Sequence, residues 1–263
     1  MIQHPTDNER LLFDTQGYLV IKNFLPVDLV SRLTVCLQNA IQDRKLGKTH
    51  AAFGPEDPYP TGITEFNGAN TRMYCILSDN PLFLDMMDYP PLIPYLNAFL
   101  STRSHFHASD AIWEVERNKE HPQWHRDGVG AGYSNFAPNI PLLQLKVGYL
   151  LSDMTEPNQG NLTLVPGSHR SNLDIQDHQK TTFDSFPGAV QFCEQSGTAV
   201  LFHNAVWHTG GPWEQCAGKR IMLYYAYEHH WMMASPEHHS YSGTFYRNLS
   251  PERREMFHDF VVH

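Results

Sequence analysis

Apolar positions recur at helical spacing in the first hundred residues and gather into short runs thereafter. Thr6-Asp7-Asn8-Glu9 has the form of a capping box: a threonine accepts at the helix start and an acid three positions on returns the bond. A short helix is expected to follow and to end before Gly17. Gly17-Tyr18-Leu19-Val20-Ile21 reads as a short strand. Pro26 opens a second helix, on which Leu29, Val30, Leu33, Leu37 and Ile41 share a face. Gly47 is its expected stop. Residues 48–70 are rich in Gly, Pro, Asn and Thr and read as a long loop, of the kind that often serves as a lid. Residues 81–100 turn helical again, interrupted by Pro90, Pro91 and Pro94.

The texture changes from residue 105. Ala111 to Arg117, Leu142 to Leu151, Asn161 to Val165, Thr198 to His203 and Arg220 to Glu228 are β-rich runs separated by turn residues. Many short strands with Gly/Pro turns predict a sandwich or barrel. Trp113 is expected in the core, and Tyr224, Tyr225 and Tyr227 at alternating core and surface positions of one strand, one of them lining a pocket. Ser250-Pro251-Glu252 has the cap, proline and acid of a closing helix over about 250–262. The expected architecture is mainly β with flanking helices. One domain is expected, with N-terminal helices over about 1–100 on a β core over about 105–228.

Composition narrows the partners. The chain has 263 residues and a net charge of −9, with no Lys/Arg run. That argues against a nucleic-acid or anionic-membrane partner. No apolar run is long enough to span a bilayer, and Met1 to Leu12 does not read as a signal peptide. Cys36, Cys75, Cys193 and Cys216 show no paired spacing, so reduced thiols in a cytoplasmic protein, monomer or homodimer, are expected. The 16 histidines are scattered, and abundance alone identifies no site.

Chemistry first shows at Trp124-His125-Arg126-Asp127-Gly128. On an extended segment, residues two apart face one side, so His125 and Asp127 can reach one ion. An imidazole with a carboxylate suits Fe(II), Mn or Zn. A surface turn ending in Asp-Gly explains the same residues. The second point is the segment from Leu201 to Pro212, with His203 and His208. In an unbroken strand they face opposite sides, so one of the two is the candidate third ligand, and a packed structural histidine is the alternative. The third point is Arg220, at the start of an apolar strand. A buried arginine almost always has an anionic partner, either a protein acid or a ligand carboxylate.

In this order these points resemble the phytanoyl-CoA dioxygenase family of Fe(II)/2-oxoglutarate oxygenases. The strongest match is Gln159-Gly160-Asn161-Leu162-Thr163-Leu164-Val165-Pro166-Gly167-Ser168-His169, similar to the family's N-G-x-L-x-x-x-P-G-S-H with Gly-Asn for Asn-Gly. The resemblance implies a double-stranded β-helix (jelly-roll, cupin-like) core. It implies His125, Asp127 and His208 as iron ligands, with His203 ranked second, and Arg220 as the grip on the distal carboxylate of 2-oxoglutarate. Gly210 stands where the family often has Ser or Thr, and Gly148 where it often has Trp. The other cosubstrate carboxylate is therefore assigned to Lys146, Gln144 or Arg72.

The implied reaction consumes O2 and 2-oxoglutarate, with ascorbate as a stimulant. It releases succinate and CO2 and oxidises a C–H bond of a small organic metabolite. Asp127 favours hydroxylation, desaturation or ring closure over halogenation, because halogenating relatives lack that carboxylate. Two rivals share the scaffold: a cupin-like zinc hydrolase or isomerase, and a catalytically silent small-molecule-binding protein. Ser168-His169 lacks a nucleophile elbow and reads as a turn with its own hydrogen bonds. His229-His230 and His238-His239 read as a solvated loop rather than a second metal site. Segments 48–70, 129–141 and 229–249 are candidate covers over the iron, and no basic patch suits CoA phosphates.

Overall fold

The structure, a computed structural model, describes residues 4–48, 64–116, 123–128, 133–136, 140–171, 186, 188–213, 218–232 and 241–257. Two antiparallel sheets face each other. The larger runs in the order β1 (Tyr18–Ile21), β8 (Ala199–His203), β5 (Gln144–Leu150), β10 (Arg220–Glu228), β4 (His105–Glu114), β3 (Asn70–Tyr74) and β2 (Thr64–Asn67). The smaller runs β7 (Val190–Gln191), β6 (Leu162–Leu164), β9 (His208–Gly210). This is the expected mainly antiparallel jelly-roll core with a few flanking helices.

The central strands of the large sheet are buried on both faces, and side-chain alternation sorts their residues between two compartments. Leu145, Val147 and Tyr149 of β5 and Ile221, Leu223, Tyr225 and Tyr227 of β10 pack outward against the helices. Those helices are α1 (Asp7–Gln16), α2 (Val27–Lys45), α3 (Pro81–Met87), α4 (Ile93–Phe99), α5 (Gly243–Arg247) and α6 (Pro251–Glu255). Leu150, Val200, Phe202 and Met222 point inward and meet Leu162 and Leu164 of the small sheet. Tyr225 and Tyr227 are thus not surface residues. Their hydroxyls donate to Phe83 O and Met87 O at 2.8 and 2.7 Å, which satisfies the one polar atom each ring buries.

Local signals place the first elements as expected. Thr6 Oγ1 accepts from Glu9 N, and Glu9 Oε2 accepts from Thr6 N at 2.7 Å. Gly17 ends α1 at φ 81°, and a Cβ there would lie 2.4 Å from Val206 Cγ2 and 2.5 Å from His169 Nδ1. The position needs glycine both for its left-handed turn and for that close approach.

Elsewhere the structure departs from the pattern. The stretch read as loop to residue 70 contains a hairpin from residue 64, because β2 and β3 extend the large sheet beyond β4. Trp113 is only partly buried, near the sheet's outer strands. The closing helix ends at Glu255; residues 258–262 lie outside the described set. So do residues 49–63, most of 129–139, and 233–240, which hold most of the candidate covers. Among the described residues no helix is long and apolar enough to cross a membrane.

One buried ion pair ties α2 to the sheet. Arg44 Nε and Nη2 donate to Asp79 Oδ1 and Oδ2 at 2.9 and 2.6 Å, and Nη2 also donates to Tyr74 O at 2.9 Å. Removing one partner leaves an uncompensated buried charge. Asp79→Ala is expected to cost about 3–5 kcal/mol in urea unfolding, whereas Asp43→Ala, which frees the exposed Lys48, costs under about 1 kcal/mol.

Candidate metal centre

The small sheet places the three candidate ligands together. Val206 N–H donates to His203 O at 3.0 Å, closing a turn after β8, and β9 begins at His208. His125 lies directly opposite His208 in an antiparallel bridge, each N–H donating to the other's C=O at 3.0 Å. Directly paired residues project to the same face, and the two rings lie 4.2 Å apart. Asp127, two positions on, donates its N–H to Asn204 O at 2.9 Å. Ligand atoms of His125, Asp127 and His208 all lie within 4.8 Å of one another, the one such group among the described residues.

The donor set suits a divalent ion. His125 Nδ1 lies 2.8 Å from Gln123 O and His208 Nδ1 2.9 Å from Val206 O. A carbonyl only accepts, so each Nδ1 carries a proton, and in the neutral ring Nε2 is the lone-pair nitrogen. Asp127 Oδ2 is buried without a hydrogen bond and lies 3.6 Å from His208 Nε2. Burial alone would push the Asp127 carboxyl up, but Lys146, His208 and His125 outweigh it and hold the pKa well below the usual carboxylate range. Burial, then His125, push His208 down to about 3, so it is neutral and able to ligate at neutral pH.

A cavity of 490 Å³ opens on these residues. Lys146 lies in its wall with Nζ 3.3 Å from Asp127 Oδ1, and Asp127 and Asp110 keep it protonated against burial. Arg72, Tyr224 and Arg220 also line it. The protein-acid alternative for Arg220 is present: Nη1 donates to Glu114 Oε2 at 3.1 Å across β10 and β4. Among the described residues Arg220 Nε is buried without a hydrogen-bond partner. Gly160 packs on the arginine stem, where a Cβ would lie 3.2 Å from Cδ. Tyr224 occupies the space beside Gly148, its Cε1 lying 3.0 Å from where a Cβ would be.

Two sequence candidates are elsewhere. Gln144 is absent from this wall; its Nε2 lies 2.9 Å from His107 Nε2, and His107 Nδ1 is 2.7 Å from Glu228 Oε2. His203 points to the opposite face of the large sheet, beside His169. Ser168 is structural: its Oγ accepts from Trp207 N at 2.9 Å, immediately before His208. His229 stacks on Trp231 and its Nε2 donates to Leu142 O. Sequence reasoning missed Glu114, Glu65 and Asp110 in the wall. Each is one acid among 28 in the sequence, and only strand pairing singles it out.

The family model of phytanoyl-CoA dioxygenase (PhyH) matches residues 13–214. The chain belongs to this family. It is an oxidoreductase of the iron/2-oxoglutarate dioxygenase class, which sets aside the zinc hydrolase and the silent binding protein. Solved structures with the same fold include the non-haem α-ketoglutarate-dependent carbocyclase SnoK of nogalamycin biosynthesis. It has 17% identity and a TM-score of 0.62, over 86% of this chain and 84% of that one. HygX from Streptomyces hygroscopicus, solved with nickel, 2-oxoglutarate and hygromycin B, has 16% identity and a TM-score of 0.62, over 88% and 89%. EctD from S. alaskensis, solved with 2-oxoglutarate and 5-hydroxyectoine, has 17% identity and a TM-score of 0.66, over 88% and 78%. No curated protein sequence matches the chain.

His203 and His208 are both depressed to about 3 from an ordinary 6.5. The unfolded chain therefore binds more protons than the folded one between those values, and stability falls as pH drops through that window. Urea unfolding of the metal-free protein is expected to lose about 1.4 kcal/mol per pH unit for each histidine below about pH 6. His107, depressed to about 4, adds a third histidine to the slope, so His203→Phe should remove about a third of it.

Proposed function

We propose that His125, Asp127 and His208 hold the iron, that Arg220 and Lys146 bind 2-oxoglutarate, and that the substrate is a small, strongly polar molecule. The observation that carries the reading is the direct pairing of His125 with His208, which sets two imidazoles beside an Asp127 oxygen that has no hydrogen bond among the described residues. Two imidazoles and one carboxylate are the donor set that would hold Fe(II) and leave it open to a cosubstrate. Iron and 2-oxoglutarate, when bound, supply oxidation of a substrate C–H with release of succinate and CO2.

The residues of this chain bind and orient. Lys146 neutralises Asp127 and lies in the wall beside it, so it can also receive a cosubstrate carboxylate. Arg220, fully charged, offers charge-assisted bonds of about 1.5–3 kcal/mol. Glu114 competes for its Nη1, so the distal carboxylate of 2-oxoglutarate displaces or crowds a like charge. Asp127 would supply the carboxylate ligand that halogenating relatives lack, which favours hydroxylation, desaturation or ring closure.

Among the described wall residues only Ile112, Phe202 and Gly210 lack a polar side-chain group. A long acyl chain would strip water from Glu65, Asn67, Asn70 and Asp110 without replacing it, at a cost of several kcal/mol. A hydroxylated or amino-bearing metabolite would not. HygX and EctD were solved with hygromycin B and 5-hydroxyectoine, and a small molecule is the proposed partner here too. Cys36, Cys75 and Cys193 are free thiols, in keeping with a cytoplasmic location.

The test is succinate release by protein supplied with Fe(II), ascorbate, 2-oxoglutarate and a polar metabolite pool. Asp127→Ala and His208→Ala should abolish it; turnover that survives both would refute the ligand assignment. Arg220→Ala should raise the KM for 2-oxoglutarate at least tenfold with little change in the iron requirement. Glu114→Gln should lower that KM severalfold. Equal effects of Arg220→Ala on iron and cosubstrate would remove the clamp role.

A further inference from the structure

Phe202 and His203 are consecutive on β8 and so face opposite sides of the large sheet. Phe202 lines the metal cavity, whereas His203 lines a second cavity of 520 Å³ on the helix side. His203 is only 6% exposed. Its Nδ1 accepts from Ala205 N–H at 3.0 Å, so its proton is on Nε2. Among the described residues that N–H has no acceptor, and it belongs to a side chain in the cavity wall. Phe13 and Phe99, stacked 4.2 Å apart, and Leu142 give the same cavity apolar surface. Arg170 lies at its edge, committed to Asp14 by an ion pair and by Nε donating to Asp14 O at 2.8 Å. Arg10, exposed and without an ion pair among the described residues, leaves this wall with one guanidinium in excess. That excess stands out in a chain of net charge −9.

We propose that this cavity is a second small-molecule site, behind the metal centre, that takes a monocarboxylate with a medium-length apolar tail. The His203 Nε2–H donates to the carboxylate, Arg10 supplies the opposite charge, and Phe13, Phe99 and Leu142 hold the apolar part. Burial, with His169 and Arg170 nearby, keeps His203 neutral, so the imidazole acts as a single fixed donor. Occupancy bears on the metal centre through the chain itself. The next residue, Asn204, accepts the Asp127 N–H through its carbonyl, and the turn that follows delivers His208.

The probe is octanoate, titrated calorimetrically into full-length protein already saturated with Mn(II) and 2-oxoglutarate, so that the metal cavity is filled. A Kd below about 1 mM is expected, with octan-1-ol at least tenfold weaker. His203→Phe should weaken octanoate at least tenfold. Ala98→Trp, which fills the cavity and leaves His203 intact, should do the same if the first variant fails to fold. Octanoate should also bind the metal-free wild-type protein, and there too be weakened by Ala98→Trp, which separates this site from the iron assignment. Absence of binding at about 10 mM, equal affinity for the alcohol, displacement by 2-oxoglutarate, or indifference to Ala98→Trp would each overturn the proposal.

Discussion

The antiparallel main-chain pairing of His125 with His208 is the constraint on which the rest depends. Two hydrogen bonds of 3.0 Å hold residues 83 positions apart directly opposite each other. Because paired residues share a face, the pairing turns two scattered imidazoles into a candidate chelating set. Asp127 joins them because it sits one strand period further along and its N–H is held by Asn204. Asn204 Oδ1 meanwhile accepts from Leu143 N and Gln144 N at 3.1 and 3.2 Å. One asparagine thus binds the ligand-bearing loop and the start of β5 to the same point.

The segment that carries His208 is braced from behind. Ser168 Oγ accepts Trp207 N–H, His169 Nε2–H donates to Asp14 O, and Gly167 N–H donates to Gln16 O. The P-G-S-H turn therefore fastens the first helix, the start of β1 and the metal-bearing turn together. Gly17 lies at the centre of that contact, where any side chain would strike Val206 or His169. A motif that reads as a local turn in sequence is, in space, the brace of the candidate metal centre.

The large sheet works as a two-sided partition. Its outward residues bury against helices and make the stable part of the protein, anchored by Arg44 and Asp79. Its inward residues change from apolar to charged along β5 and β10: Leu150 and Met222 join the core between the sheets, while Lys146, Tyr224 and Arg220 line the cavity. Charge in the interior is tolerable because each such group has a partner, Lys146 with Asp127 and Arg220 with Glu114.

Much of this was legible along the chain. The capping box at Thr6, the helical stripe from Leu29 to Ile41 and the β runs after residue 105 are local patterns, and local propensity decides them. The H-x-D pair is legible for the same reason, since a two-residue period suffices to align two side chains. The distal ligand is not local. His203 and His208 are equally good imidazoles in sequence, and the turn at Asn204 sends one outward and the other to the iron side. Lys146 and Gln144 lie on the same face of β5, yet only the first reaches the cavity, because His107 and Glu228 occupy the other's end of the sheet. The β2–β3 hairpin and the Arg220–Glu114 pair were likewise settled by strand pairing between distant segments. Sequence alone determined which elements form and which residue types can bind a metal. Tertiary structure decided which of them meet, because partnership across strands depends on register and on turns that carry no periodic signal.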